Sequence, residues 1–301
     1  MLEPGRGRTY RIDDRFTMDD GQVFMSGSQA LARLVIEQLR VDRRHGWRTA
    51  AFVSGYPGSP LAGFDGDIAA AAAAASGEGL DLVFRPALNE ELAATAVMGS
   101  QLATTVDGCK YDGVIGVWYG KAPGLDRASD AMRHGVFAGV SPRSGAIALV
   151  GDDPAAKSST LPSSSDSNIV DLHLPLLYPG DVQEALDLGR HAIAVSRASG
   201  LWAAMKVVAA VADGTGTVDL HPDRINPHVP EFDLGGRPFV PHPDGRLVTP
   251  YTLEIEREFL EVRLPLAQKY GVVNHLNTIS VRSDSDWIGI AASGHTYHET
   301  L

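Results

Sequence analysis

Cysteine occurs once in the 301 residues, at position 109. A disulfide framework within the chain is excluded, and so is an iron–sulfur cluster ligated by this chain alone, because such a cluster needs several thiolates. Basic residues are in deficit. The 26 Lys and Arg against 37 Asp and Glu leave a net charge of −11, the wrong sign for a nucleic-acid surface. Long apolar runs are missing as well. The longest, Ile68 to Ala75, is rich in alanine and far short of the ~20 residues that span a bilayer. The N-terminal stretch MLEPGRGRTYRIDD has no apolar segment of the secretory kind. The expectation is a cytoplasmic protein without nucleic-acid or membrane partners. Catalytic signatures are also scarce. No G-x-G-x-x-G opens a helix, no G-x-S-x-G elbow occurs, and the ten histidines show no metal-ligand spacing. No metal ligand is therefore assigned.

The composition is otherwise that of a globular protein, 44% hydrophobic and 21% charged, with length for one large α/β domain or two ordinary ones. An amphipathic helix is expected over 27–40, capped by Ser28. Strand-like runs recur at 50–54, 81–84, 113–118, 146–150, 174–177 and 202–208, with helical stretches at 65–75, 90–103, 128–138 and 182–196. This alternation predicts an α/β fold, a mostly parallel sheet with helices on both faces. Four segments follow. Residues 1–22 form an extension, 23–218 the α/β domain, and 219–250 a proline-crowded linker. Residues 251–301 form a helix, with Pro265 as its expected kink, and the start of a truncated second α/β domain whose first strand is Trp287–Ala292.

In such sheets ligands bind beyond the carboxyl ends of the strands. The residues there are Gly55-Tyr56-Pro57-Gly58-Ser59-Pro60, Arg85 to Glu91, Tyr119 to Gly124, Gly151 to Thr160, and Tyr178 to Asp181. Right-handed crossovers bring all of them to one edge. The segment Leu80–Ala96 is central. Asn89 stands where a helix cap should be, and Glu90 and Glu91 then open a helix too apolar to lie on the surface. Acidic residues in a first turn are ordinary helix-start chemistry, but these two lead a buried helix.

Two other signals are weaker. Gly151–Ser158 approaches the phosphate loop G-x-x-x-x-G-K-[ST], but Ala156 replaces the second glycine and Pro162 interrupts the helix that should follow. His134 reads first as a structural histidine.

Taken together, the edge motifs resemble one family, the 2-oxoacid:ferredoxin oxidoreductases, and within it the large single-chain indolepyruvate type. The resemblance rests on GYPGSP at 55–60, NEELAATAVMGSQ at 89–101 and VWYGKAPGLDRASDAMRHGVFAGVSP at 117–142. It continues through LVGDDPAAKSSTLPSSSDS at 149–167 and YPGDVQEALDLG at 178–189. It is firm over roughly 20–215.

The resemblance implies the pyrimidine-binding (Pyr) domain of a thiamine diphosphate enzyme. Glu90 matches the family's glutamate that hydrogen-bonds N1′ of the cofactor's aminopyrimidine. Gly55, Tyr56, Pro57 and Asn89 would also line the cofactor, and Ser59, Lys121, Ser158 and Ser159 the substrate. Implied too are oxidative decarboxylation of a 2-oxo acid, coenzyme A as acyl acceptor, and ferredoxin as electron acceptor. The diphosphate and Mg²⁺ ligands and the iron–sulfur clusters would lie outside this chain. The G-D-G motif of the partner (PP) domain is absent, and Gly151-Asp152-Asp153 is the closest approach. The PP domain would come from the same or a neighbouring protomer of a homo-oligomer, and 251–301 would begin a transketolase C-terminal-like domain. Another thiamine enzyme, such as a decarboxylase, and a non-catalytic interaction subunit are the alternatives.

Overall fold

The computed structural model describes residues 10–156 and 160–301. A single-turn helix α1 (Asp14–Thr17) leads into strand β1 (Gln22–Ser26) and the long helix α2 (Gly27–Arg44). Ser26 caps α2, not Ser28. Its hydroxyl accepts from the Gln29 N–H while the Gln29 side chain accepts from the Ser26 N–H, a reciprocal capping box. Ser28 instead donates to Asp67 at 2.6 Å. Two buried arginines of α2 hold the chain before β1. Arg33 donates to the Arg15 carbonyl at 2.9 Å, and Arg40 donates to the Phe16 carbonyl at 2.8 Å, satisfying groups that a helix end leaves open.

The α/β alternation then follows: β2 (Thr49–Gly55), α3 (Phe64–Gly77), β3 (Asp81–Phe84), α4 (Glu90–Gln101), β4 (Gly113–Lys121), α5 (Ala122–Ala138) and β5 (Gly145–Asp152). After it come α6 (Asp166–Asp171), β6 (Leu176–Leu177), α7 (Val182–Ser199), β7 (Ala203–Val208), α8 (Ala209–Ala212) and β8 (Thr215–Asp219). Six strands form one sheet in the order β3-β2-β4-β5-β7-β6, every ladder parallel. The expected fold class is the observed one. An unexpected antiparallel pair, β1 with β8, joins the two ends of the domain.

Period-2 alternation divides each central strand between two cores. In β4, Ile115, Val117 and Tyr119 join α2, α3 and α7 on one face. Trp118 joins α4 and α5 on the other.

Beyond residue 250, α9 (Tyr251–Glu258) runs through a π-helical turn at Phe259–Arg263 into α10 (Leu264–Val273). The π turn ends two residues before Pro265, whose missing N–H cannot continue an α ladder. Phe259 and Tyr270 are buried in the two cores, so this helical run packs on the α/β unit. Trp287–Ala292 forms no strand here. It pairs with no described residue, and Trp287 is 89% exposed. A strand needs a neighbour, and the described residues offer it none. The last element is α11 (His295–Thr300).

Candidate functional site

Three chain segments build the carboxyl edge of the sheet around β2 and β4. The first is the turn after β2. Gly55 is required there, because a Cβ would stand 2.2 Å from the Tyr119 carbonyl oxygen. That carbonyl accepts from the Tyr56 N–H at 3.1 Å, which extends the β2–β4 pairing beyond the strands. Tyr56 and Pro57 are exposed and Ser59 half-buried. Leu61 and Phe64, both fully buried, anchor the turn to α3.

The second segment follows β3. The Arg85 N–H donates to the Val53 carbonyl at 2.9 Å and the Ala87 N–H to the Gly55 carbonyl at 3.1 Å, so the chain stays beside β2 as it approaches α4. Asn89 caps that helix as expected, its Oδ1 accepting from the Leu92 N–H at 2.9 Å. Glu90 is buried, 9% exposed, and Glu91 faces solvent. Among the described residues the Glu90 carboxylate has no hydrogen-bond or ion-pair partner.

The third segment is the β4–α5 junction. The strand continues to Lys121 and the helix starts at Ala122, earlier than the expected 128. Pro123 suits a first helical turn because it has no N–H to leave unpaired. A Cβ on Gly124 would stand 2.7 Å from both Cγ and Oε1 of Glu90, and one on Gly120 would stand 3.4 Å from that Cγ. Lys121 reaches back to the first segment. A Cβ on Gly58 would meet its Cδ at 3.0 Å.

The edge thus brings Gly55, Tyr56, Gly58 and Lys121 together on one side, and on the other Glu90, next to its cap Asn89, against Gly120 and Gly124. Ser158 and Ser159 lie outside the described residues. His134 is exposed on α5, its Nδ1 2.8 Å from the Asp130 carbonyl, and takes no part.

Sequence reasoning missed a second cluster further along the edge. Lys206 on β7 sits 2.7 Å from Asp166 and 3.3 Å from Asp152, with its ammonium 5.0 Å from the centre of the Tyr178 ring. Burial opposes the charged lysine, but Asp166 and Asp152 outweigh it and hold its pKa above the usual value. A lysine inside the apolar strand AAMKVV was the available signal. Beneath the Gly55 turn, burial pushes the Tyr119 phenol up, and the neighbouring Asp65 adds to the shift. Among the described residues one group has metal-ligand geometry, Asp181, Glu184 and His298, within 4.8 Å of one another. Asp181 already caps α7, and Glu184 accepts from the Gly180 N–H. No helix among the described residues is long and apolar enough to cross a membrane.

The molecule is thus a parallel α/β domain that carries Glu90 against Gly120 and Gly124 at the carboxyl edge of its sheet. No family model matches the chain. It is 26% identical over 288 residues to the indolepyruvate oxidoreductase subunit IorA of Methanothermobacter thermautotrophicus, covering 95% of this chain and 41% of that protein. It is 25% identical over 279 residues to the subunit of the same name from Archaeoglobus fulgidus, covering 93% of this chain and 40% of that protein. The chain therefore spans less than half the length of these relatives. Its fold is like that of a 2-oxoglutarate:ferredoxin oxidoreductase from Magnetococcus marinus, solved with 2-oxoglutarate, coenzyme A and succinyl-CoA bound. The TM-score is 0.56 at 16% identity, over 89% of this chain and 48% of that one. Together these likenesses fit the 2-oxoacid:ferredoxin oxidoreductase family, as the edge motifs imply.

Proposed function

We propose that this chain carries the pyrimidine-side half of a thiamine diphosphate site in a 2-oxoacid:ferredoxin oxidoreductase, acting on indolepyruvate or a related aryl 2-oxo acid. The observation that carries the reading is Glu90, a residue only 9% exposed at the carboxyl edge, whose carboxylate has no hydrogen-bond or ion-pair partner among the described residues. A carboxylate with no donor of its own is free to accept a hydrogen bond from a bound group. A nitrogen-bound proton of an aminopyrimidine is a donor of the right kind, so the residues present fit this group. Glu90 would accept from N1′ and share its proton. Gly55, Tyr56, Pro57 and Asn89 would line the ring. Lys121 and Ser59 would face the anionic substrate, and Ser158 and Ser159 are proposed for the same role. Thiamine diphosphate supplies, when bound, the carbon nucleophile that decarboxylation of a 2-oxo acid requires.

The diphosphate and Mg²⁺ would be held by a PP domain of the same or a neighbouring protomer. Support for a missing half comes from the relatives, which are more than twice as long. Residues 251–301 would begin a transketolase C-terminal-like domain, and coenzyme A, ferredoxin and iron–sulfur clusters would belong to the assembled enzyme in the cytoplasm. The test is 2-oxo-acid-dependent reduction of ferredoxin by the enzyme containing this chain, with coenzyme A present, before and after removal of thiamine diphosphate. Reduction should stop on removal and return on adding it back. Undiminished reduction without the cofactor contradicts the reading.

A further inference from the structure

Of the four tryptophans, Trp118 and Trp202 are both fully buried, but their indole N–H groups differ. The Trp202 Nε1 has no hydrogen-bond partner among the described residues. The Trp118 Nε1–H donates to the backbone carbonyl of Glu90 at 2.9 Å. That carbonyl belongs to the first residue of α4, so the indole ties β4 to the start of the helix that presents the carboxylate. The same ring lies against Gly120, where a Cβ would stand 2.7 Å from its Cη2.

The two glycines are themselves informative. Gly120 lies in a central strand and Gly124 in the first turn of α5. Alanine would serve local structure better at both. Both abut Glu90, and a methyl group at Gly124 would occupy the space of its carboxylate.

We propose that Trp118 is a positioning residue for Glu90. Its indole fixes the first turn of α4 through the backbone, while Gly120 and Gly124 leave the notch that directs the carboxylate. The inference rests on reading Glu90 as the residue that faces the cofactor, but its test needs no cofactor.

The measurement is the side-chain carboxylate ¹³C resonance of Glu90 in the 301-residue chain labelled at glutamate, identified by its loss in E90Q. W118F keeps an aromatic ring in the core and removes the donor. It should move the Glu90 resonance and leave the other glutamates in place. G124A keeps the donor and fills the notch, and should move the same resonance. A folded W118F with the Glu90 resonance unmoved overturns the proposal. If W118F does not fold, two readings decide: the G124A spectrum and the wild-type indole protons. The Trp118 indole proton should resonate downfield of Trp202's and exchange more slowly. An unmoved Glu90 in G124A, or equivalent indole protons, would overturn it. Intact positioning alongside unimpaired cofactor chemistry in E90Q would instead remove the functional reading and leave the Trp118 assignment standing.

Discussion

The Tyr119 carbonyl oxygen lies 2.2 Å from the place a Cβ on Gly55 would occupy, and it accepts the Tyr56 N–H at 3.1 Å. One strand end therefore fixes the turn that carries Tyr56 and Pro57. Gly55→Ala should force the turn off β4 and destabilise the chain by about 1–3 kcal/mol, the usual cost of overpacking. Thermal unfolding of the variant measures it.

Among the described residues, Lys206 is the cation that meets Asp152, whose side chain is 2% exposed. Replacing it with methionine keeps the stem and leaves a buried carboxylate without its counter-charge, a loss on the order of 3–5 kcal/mol. Denaturant unfolding of Lys206→Met should show this, and the double change Lys206→Met, Asp152→Asn should recover much of it.

His191 on α7 meets the Tyr270 hydroxyl of α10, with Nδ1 and oxygen 2.8 Å apart. Burial, and secondarily the neighbouring Arg190, lowers its pKa from 6.5 to about 4. The unfolded chain then binds a proton more readily than the folded one. The stabilisation is present in full above pH 6.5 and is lost as pH falls toward 4, on the order of 2–3 kcal/mol. Chemical unfolding at pH 7 and pH 4.5 should show a smaller drop for His191→Gln than for wild type. Equal drops would contradict it.

The strands were legible because they are apolar runs bounded by turn residues, and 81–84 has the bounds expected. The start of α5 was not. Pro123-Gly124 reads locally as a turn, and the contact that makes glycine suitable inside this helix comes from Glu90, which no local window contains. The β1–β8 pair was hidden for the same reason, since its strands stand at opposite ends of the domain. Trp287–Ala292 shows the converse: an apolar run specifies a strand only where a partner exists. Helix-start chemistry placed Asn89 as the cap and both Glu90 and Glu91 in the first turn of α4, while the choice of Glu90 between the two came from the resemblance. Trp118 was not readable, because an indole in an apolar strand gives no sign of where its N–H points.

Glu91 provides the control for its neighbour. It is exposed in the first turn of α4 and contributes only a charge suited to the helix dipole. Glu91→Gln should cost about 0.5 kcal/mol of stability, and cofactor chemistry in the assembled enzyme should be unaffected.

Exchange of the C2 proton of bound thiamine diphosphate, followed in the enzyme containing this chain, tests Glu90 directly. Glu90→Gln keeps the size of the side chain but removes the carboxylate that accepts and shares the N1′ proton. With folding verified by circular dichroism, exchange should slow by a factor on the order of 10² to 10⁴. Exchange at the wild-type rate in Glu90→Gln would contradict the assignment of this carboxylate to thiamine chemistry.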